Sequence, residues 1–294
     1  METKLKYTFK NDILFKMLFL KKPKLLKKFI SIILGIKYES ITEFIITNSE
    51  MPPEGIGDKF CRVDIHMIVD GRHVNLEIQV ENEGNFKDRS LYHWARMFSS
   101  ALASGNDYSE LPQTIVISIL DFKLFDFPEY KSEFSVLEIT RYTPLSDKMW
   151  LIYFELPKLT EDLSTDNILE LWLNLFDTET KERLDKIESL GVSDMNELIE
   201  AYNSITVSPE FQELERLREK ARHDEAQALH NAEHKGEQNE RKKWQGIVAE
   251  KDSVLAKKDA VLAEKDVALA EKDAENVRQK ALIDELMKRL GENN

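Results

Sequence analysis

Two alternating segments joined by Asp70-Gly71 constrain this chain more than any other feature. Residues 60–69 (FCRVDIHMIV) and 72–80 (RHVNLEIQV) alternate apolar and polar side chains, and an Asp-Gly pair between such segments reads as a tight hairpin turn. Successive strand side chains point to opposite faces, so Val74, Leu76, Ile78 and Val80 share one face and His73, Asn75, Glu77, Gln79 and Glu81 the other. In the first segment Val63, Ile65, Met67 and Val69 share a face, leaving Arg62, Asp64 and His66 opposite. A two-residue turn sets Val69 across from Arg72. It then sets Asp64 across from Glu77, Arg62 across from Gln79 and His66 across from Asn75.

The flanking segments supply an α/β frame. Ile13, Leu14, Met17, Leu18, Leu25, Leu26, Phe29, Ile30 and Ile33 recur at helical spacing over 11–36, with Asn11 as N-cap, Pro23 as interruption and Gly35 as stop. A strand is expected at 41–47, and a helix at 87–104 with Leu91, Trp94, Ala95, Phe98 and Leu102 on one face. The continuous apolar run TIVISIL (114–120) predicts a strand buried on both faces. Further strands are expected at 133–140 and 149–156, and helices dominate from about 166 onward. The expected fold is therefore a mixed central sheet flanked by helices over 1–160, a helical extension over 161–205, and a long helix over 206–294.

From Ala249 the chain repeats every seven residues: AEKDSVL, AKKDAVL, AEKDVAL, AEKDAEN. Leu255, Leu262, Leu269, Ile283 and Leu290 recur at heptad spacing, but their neighbours three or four residues away in the regular repeats are Lys or Asp. The one three-four seam runs Ser253, Ala256, Ala260, Ala263, Val267, Ala270, Ala274, Val277. That pattern fits a high-propensity helix that either self-associates weakly as a coiled coil or stands solvated with no partner.

Composition narrows the function classes. The 294 residues carry a net charge of -13, which argues against a broad basic surface for nucleic acid. Residues 1–37 run the other way, with ten lysines against Glu2 and Asp12; they either solvate a helix face or contact a phosphate backbone. Cys61 is the one cysteine, which excludes an internal disulfide framework and a cysteine-based zinc site. No apolar run reaches the ~20 residues of a membrane span and no signal peptide opens the sequence, so a cytoplasmic protein without membrane contact is expected. No P-loop, GxGxxG or HExxH motif is present. His223, His230 and His234 lie on a highly charged helix and read as solvated.

The hairpin is where chemistry could sit. Two carboxylates side by side destabilise a sheet unless something neutralises them. A divalent cation would do so, and carboxylate oxygens plus waters suit Mg²⁺. The same pair also fits a polar strand face that is simply wet. Gln79 lies on the same face, where its amide could position a water or a phosphate oxygen.

Several ordered segments carry a family resemblance: NDILFKMLF (11–19), RVDIHM (62–67), NLEIQV (75–80), DRSLYHWARMFSSAL (88–102), GNDYSELPQTIVISILDFKLF (105–125) and YFELPK (153–158). Over about residues 7–160 the chain resembles the Rpn-type recombination-promoting nucleases, the PD-(D/E)XK nuclease family transposases. The resemblance implies a restriction-endonuclease-like core and a Mg²⁺-dependent DNA endonuclease, with Mn²⁺ as a substitute, that promotes recombination or mobile-element movement. It implies Asp64 and Glu77 as metal ligands and Asp64, Glu77 and Gln79 as the catalytic set. Gln79 stands where the superfamily usually has lysine, which removes a cation from the site, and Val63 replaces the motif proline. Supporting roles fall to Asp12 beside the metal and to Arg62, Arg89 and Tyr92 at phosphates, each of which also reads as an ordinary structural residue. The alternative function is a catalytically weak or inactive nuclease-fold scaffold. The partners expected are DNA and a second copy of the chain met through the C-terminal helix.

Overall fold

The computed structural model describes residues 2–47, 64–102 and 105–291. The chain forms two compact units, Met1–Ala221 and Arg222–Asn294. In the first, Asn11 caps α1 (Asp12–Lys21) by accepting the Leu14 N–H at 2.9 Å. Pro23 has no N–H with which to continue that ladder. It opens α2 (Pro23–Leu34) instead, which ends at Gly35 in the left-handed region (φ 64°). The segment read as one interrupted helix is thus two helices.

Six strands follow: β1 (Phe44–Ile46), β2 (Ile65–Val69), β3 (Arg72–Gln79), β4 (Thr114–Leu120), β5 (Lys131–Phe134) and β6 (Met149–Glu155). They form one mixed sheet in the order β1-β2-β3-β4-β6-β5, parallel at β3–β4 and β4–β6 and antiparallel elsewhere. The hairpin pairs Val69 with Arg72 and Ile65 with Leu76, and both turn residues take positive φ (Asp70 46°, Gly71 74°). The strand expected over 133–140 is shorter. β5 ends at Phe134, and beyond it an isolated bridge joins Leu137 to Pro144.

One sheet face is apolar. Val74, Leu76, Ile78, Ile115, Ile117, Ile119, Ile152 and Phe154 pack there with Phe15, Phe19 and Phe29 of α1 and α2. The same core takes in α4 (Ile168–Phe176), α5 (Lys181–Ser189), α6 (Ser193–Thr206) and Phe211 at the start of α7 (Pro209–Gly291). Trp172 stacks on Phe19 and Phe29 and Phe176 meets Phe29 edge-on, so α4 buries its apolar face against the sheet's own core.

The opposite face is covered by α3 (Phe86–Ser100) over Val116, Leu120, Leu151 and Tyr153. Its buried side matches the expected one at Trp94, Phe98 and Leu102, which are half-buried, and departs from it at Leu91 and Ala95. Phe86 and Ser90 are fully buried, Trp94 and Met97 pack beside them, and Leu91 and Ala95 are exposed. Ser90 joins the buried stripe, with its hydroxyl 2.6 Å from that of Tyr153. A small polar residue that finds a buried partner occupies the core stripe, where periodicity of apolar residues assigns the leucine.

Most lysines of the N-terminal segment have protein partners. Lys10 and Lys16 are buried, Lys22 pairs with Glu197 at 2.8 Å, and Lys28 pairs with Asp194 at 2.5 Å. Among the described residues no helix is long and apolar enough to cross a membrane.

Candidate active site

The polar residues of β3 line the sheet face that α3 covers. Glu77 is 5% exposed, and its position in the strand sets it beside Ser118 of β4, whose own neighbour in β6 is Tyr153. The Ser118 hydroxyl donates to Glu77 Oε1 at 2.7 Å, with Ser118 wholly buried. Burial pushes the Tyr153 phenol above its ordinary pKa, and the nearby Glu77 carboxylate pushes in the same direction. Glu77, Ser118, Tyr153 and Ser90 therefore form a polar row that crosses three strands and ends on α3.

Asp64 immediately precedes β2. The β2–β3 pairing ends at Ile65–Leu76, one residue short of the Asp64–Glu77 pair that the sequence predicts. His66 pairs with Asn75 as the sequence predicts. Lys16 of α1, 4% exposed, lies near enough to Asp64 for the two charges to act on each other. Burial lowers the Lys16 pKa and Asp64 opposes that shift. Burial also holds His66 below its ordinary pKa, with Lys16 and His93 of α3 adding to the effect.

The other expected residues have these surroundings. Gln79 follows Glu77 on the same face, and its amide donates to the Glu81 carbonyl at 3.0 Å. Asp12 pairs with Arg218 at 2.6 Å. Arg89 pairs with Glu83 at 3.0 Å and lies over the Phe86 ring, while Tyr92 is 60% exposed with its ring against His93. Arg62 lies outside the described residues.

Sequence reasoning passed over Lys16, Ser90, Ser118, Tyr153 and His93. Lys16 could have been found, because a lysine inside ILFKMLF (13–19) has buried neighbours on every side. Ser118 could not. Its place beside Glu77 depends on a parallel pairing between strands separated by α3, which local periodicity does not encode.

The donors suit a hard cation that takes few protein ligands. Glu77 is a buried carboxylate held by a hydroxyl, and with the Asp64 carboxylate just before β2 it is the type of donor such an ion takes. Among the described residues no group of three or more His, Cys, Asp or Glu side chains could hold a metal ion.

Comparison with curated proteins and with solved structures finds no match. The family model for the PD-(D/E)XK nuclease family transposase matches residues 9–232. That span runs from the start of α1, through the whole sheet and α4–α6, into α7. With its mixed sheet between helices, the chain belongs to the PD-(D/E)XK nuclease family transposases.

Proposed function

We propose that the chain is a Mg²⁺-dependent DNA endonuclease whose site is built on Asp64, Glu77 and Gln79. The observation that carries this reading is the buried Glu77 carboxylate, held by Ser118, on the strand that pairs with the one Asp64 leads into. Asp64 and Glu77 would hold the ion, and Mn²⁺ would substitute for Mg²⁺. When bound, such an ion polarises a phosphoryl oxygen and lowers the pKa of a water.

The chain's own residues shape the rest. Ser118 fixes the Glu77 carboxyl, and Lys16 brings positive charge to the side of Asp64, where Gln79 has none to offer. Arg89 and the exposed Tyr92 on α3 are the candidate contacts to a DNA backbone, with Arg62 as a third. The product would be broken or nicked DNA that promotes recombination or element movement, in a cytoplasmic protein. The repeat at the end of α7 would bring two copies together.

One observation favours a weak or inactive scaffold instead: the Gln79 amide is already hydrogen-bonded to the Glu81 carbonyl. Supercoiled-plasmid cleavage at low salt separates the readings. Nicking in Mg²⁺ or Mn²⁺ is expected, abolished by EDTA and reduced by about a hundredfold or more in Asp64→Ala and in Glu77→Ala, each with an unchanged melting curve. Full cleavage by both variants would remove the site assignment. No cleavage by the native chain, together with no Mn²⁺ uptake by calorimetry, would establish the scaffold.

A further inference from the structure

We infer that Ser118 is a positioning residue that sets which divalent cation Glu77 accepts. The inference rests on the Asp64–Glu77 reading and adds a determinant of ion choice to it. Ser118 stands at the middle of the three strands that carry the polar row, between Glu77 on β3 and Tyr153 on β6. Its hydroxyl donates to Glu77 Oε1 at 2.7 Å, and both residues are shut away from solvent at 0% and 5% exposure. Tyr153, 3% exposed, is itself held by Ser90, 1% exposed, at 2.6 Å. The donor to Glu77 is therefore packed on its far side by a phenol that is fixed to α3.

A carboxylate with one oxygen already accepting a hydrogen bond is biased against giving both oxygens to one ion. One-oxygen ligation of an ion would then be favoured. Mg²⁺ and Mn²⁺ work with few protein oxygens in near-octahedral geometry, whereas Ca²⁺ takes more oxygens and accepts two from one carboxylate readily. The Ser118 hydroxyl thus favours the smaller ions over Ca²⁺. Groups behind a metal ligand that fix its orientation typically change affinity by ~10–100-fold when removed.

The test is calorimetric titration of the full chain with Mn²⁺ and, separately, with Ca²⁺, alongside thermal melts. In Ser118→Ala the Mn²⁺ affinity is expected to fall about tenfold or more while Ca²⁺ binding holds or improves, so that the preference for Mn²⁺ narrows. Ser118→Thr retains the hydroxyl and is expected to keep the native preference. If the added methyl unfolds that variant, Ser118→Cys, whose thiol is a weak donor, serves as a second donor-loss variant and is expected to follow the alanine variant; a native Mn²⁺ to Ca²⁺ ratio in it would count against the inference. A Ser118→Ala chain that melts like the native one and shows the native Mn²⁺ to Ca²⁺ ratio would overturn the inference and leave the Asp64–Glu77 site standing. A native chain that takes up no Mn²⁺ would overturn both.

Discussion

Lys10 shows how a single buried charge ties distant parts of this chain together. Its ammonium meets Asp121 at 3.0 Å, Asp177 at 3.3 Å and Glu179 at 2.7 Å, with 7% of its side chain exposed. Burial pulls its pKa down, but Glu179, Asp121 and Asp177 outweigh that and hold it above the ordinary lysine value. Lys10→Met leaves three acids without their cation. The expected loss is roughly 2–3 kcal/mol at pH 7, somewhat below the ~3–5 kcal/mol of a fully buried pair, because Glu179 remains within reach of water. The hydrogen bond from Lys10 depresses the Glu179 pKa, so this residue stabilises the fold above the ordinary glutamate range and stops doing so as pH falls through its depressed value. Asp177 behaves oppositely, because burial raises its pKa above the ordinary aspartate value. Protonated acids need no cation. The deficit of Lys10→Met should accordingly be largest near neutrality and shrink as the carboxylates protonate, which urea denaturation at pH 7 and pH 4 would measure. An equal deficit at both values would show that packing, not charge, accounts for the loss.

At the scale of elements, what was legible in the sequence is what is local. The hairpin could be read to the residue because Asp70 and Gly71 supply the two positive-φ positions of its turn, and alternation then fixes every pair back to Ile65–Leu76. Asp70 adds a second tether: its Oδ1 accepts from the Thr42 and Glu43 N–H groups at 2.9 Å, which ties the turn to the approach to β1. Gly71→Ala places a side chain at φ 74°, where the cost is about 1–2 kcal/mol although nothing lies within 4 Å of the new methyl. The melting temperature should fall accordingly, and an unchanged melt would mean that the turn relaxes to another type. The place of Ser90 on the buried stripe of α3 and the partner of Glu77 were not legible for a shared reason. Ser90 and Ser118 look polar by composition, yet each is buried because a group elsewhere in the chain meets its hydroxyl. Periodicity reports which residues are apolar. It cannot report which polar residue has found a distant partner.

At the scale of the whole molecule, the repeat is the part whose pattern is plain and whose partner is not. The seven positions of AEKDSVL fall around a helix so that a Ser/Ala/Val seam, a Val row and a Leu row alternate with rows of charge. Val254, Leu255, Val261, Leu262, Val267 and Leu269 are all 48–62% exposed, as a helix without a neighbour requires. The seam through Ala256, Ala260, Ala263 and Ala270 has the three-four spacing that keeps one stripe facing a partner helix, whereas the leucine row has Lys or Asp at the complementary places. If the seam is the contact between copies, its alanines bury little area, and association should be seen only at high protein concentration. Deepening the seam should then tighten it. Ala263→Leu adds three carbons per copy at a d-type position, and at ~0.8 kcal/mol per buried carbon this strengthens self-association by more than about tenfold. Leu262→Ala, on the neighbouring row, should leave it unchanged, and deletion of 245–294 should abolish it. Sedimentation velocity across a concentration series reads all three. The opposite ranking, with Leu262→Ala dissociating the assembly and Ala263→Leu without effect, would move the contact to the leucine row and require partners for the lysines at 251, 258 and 265 that flank it.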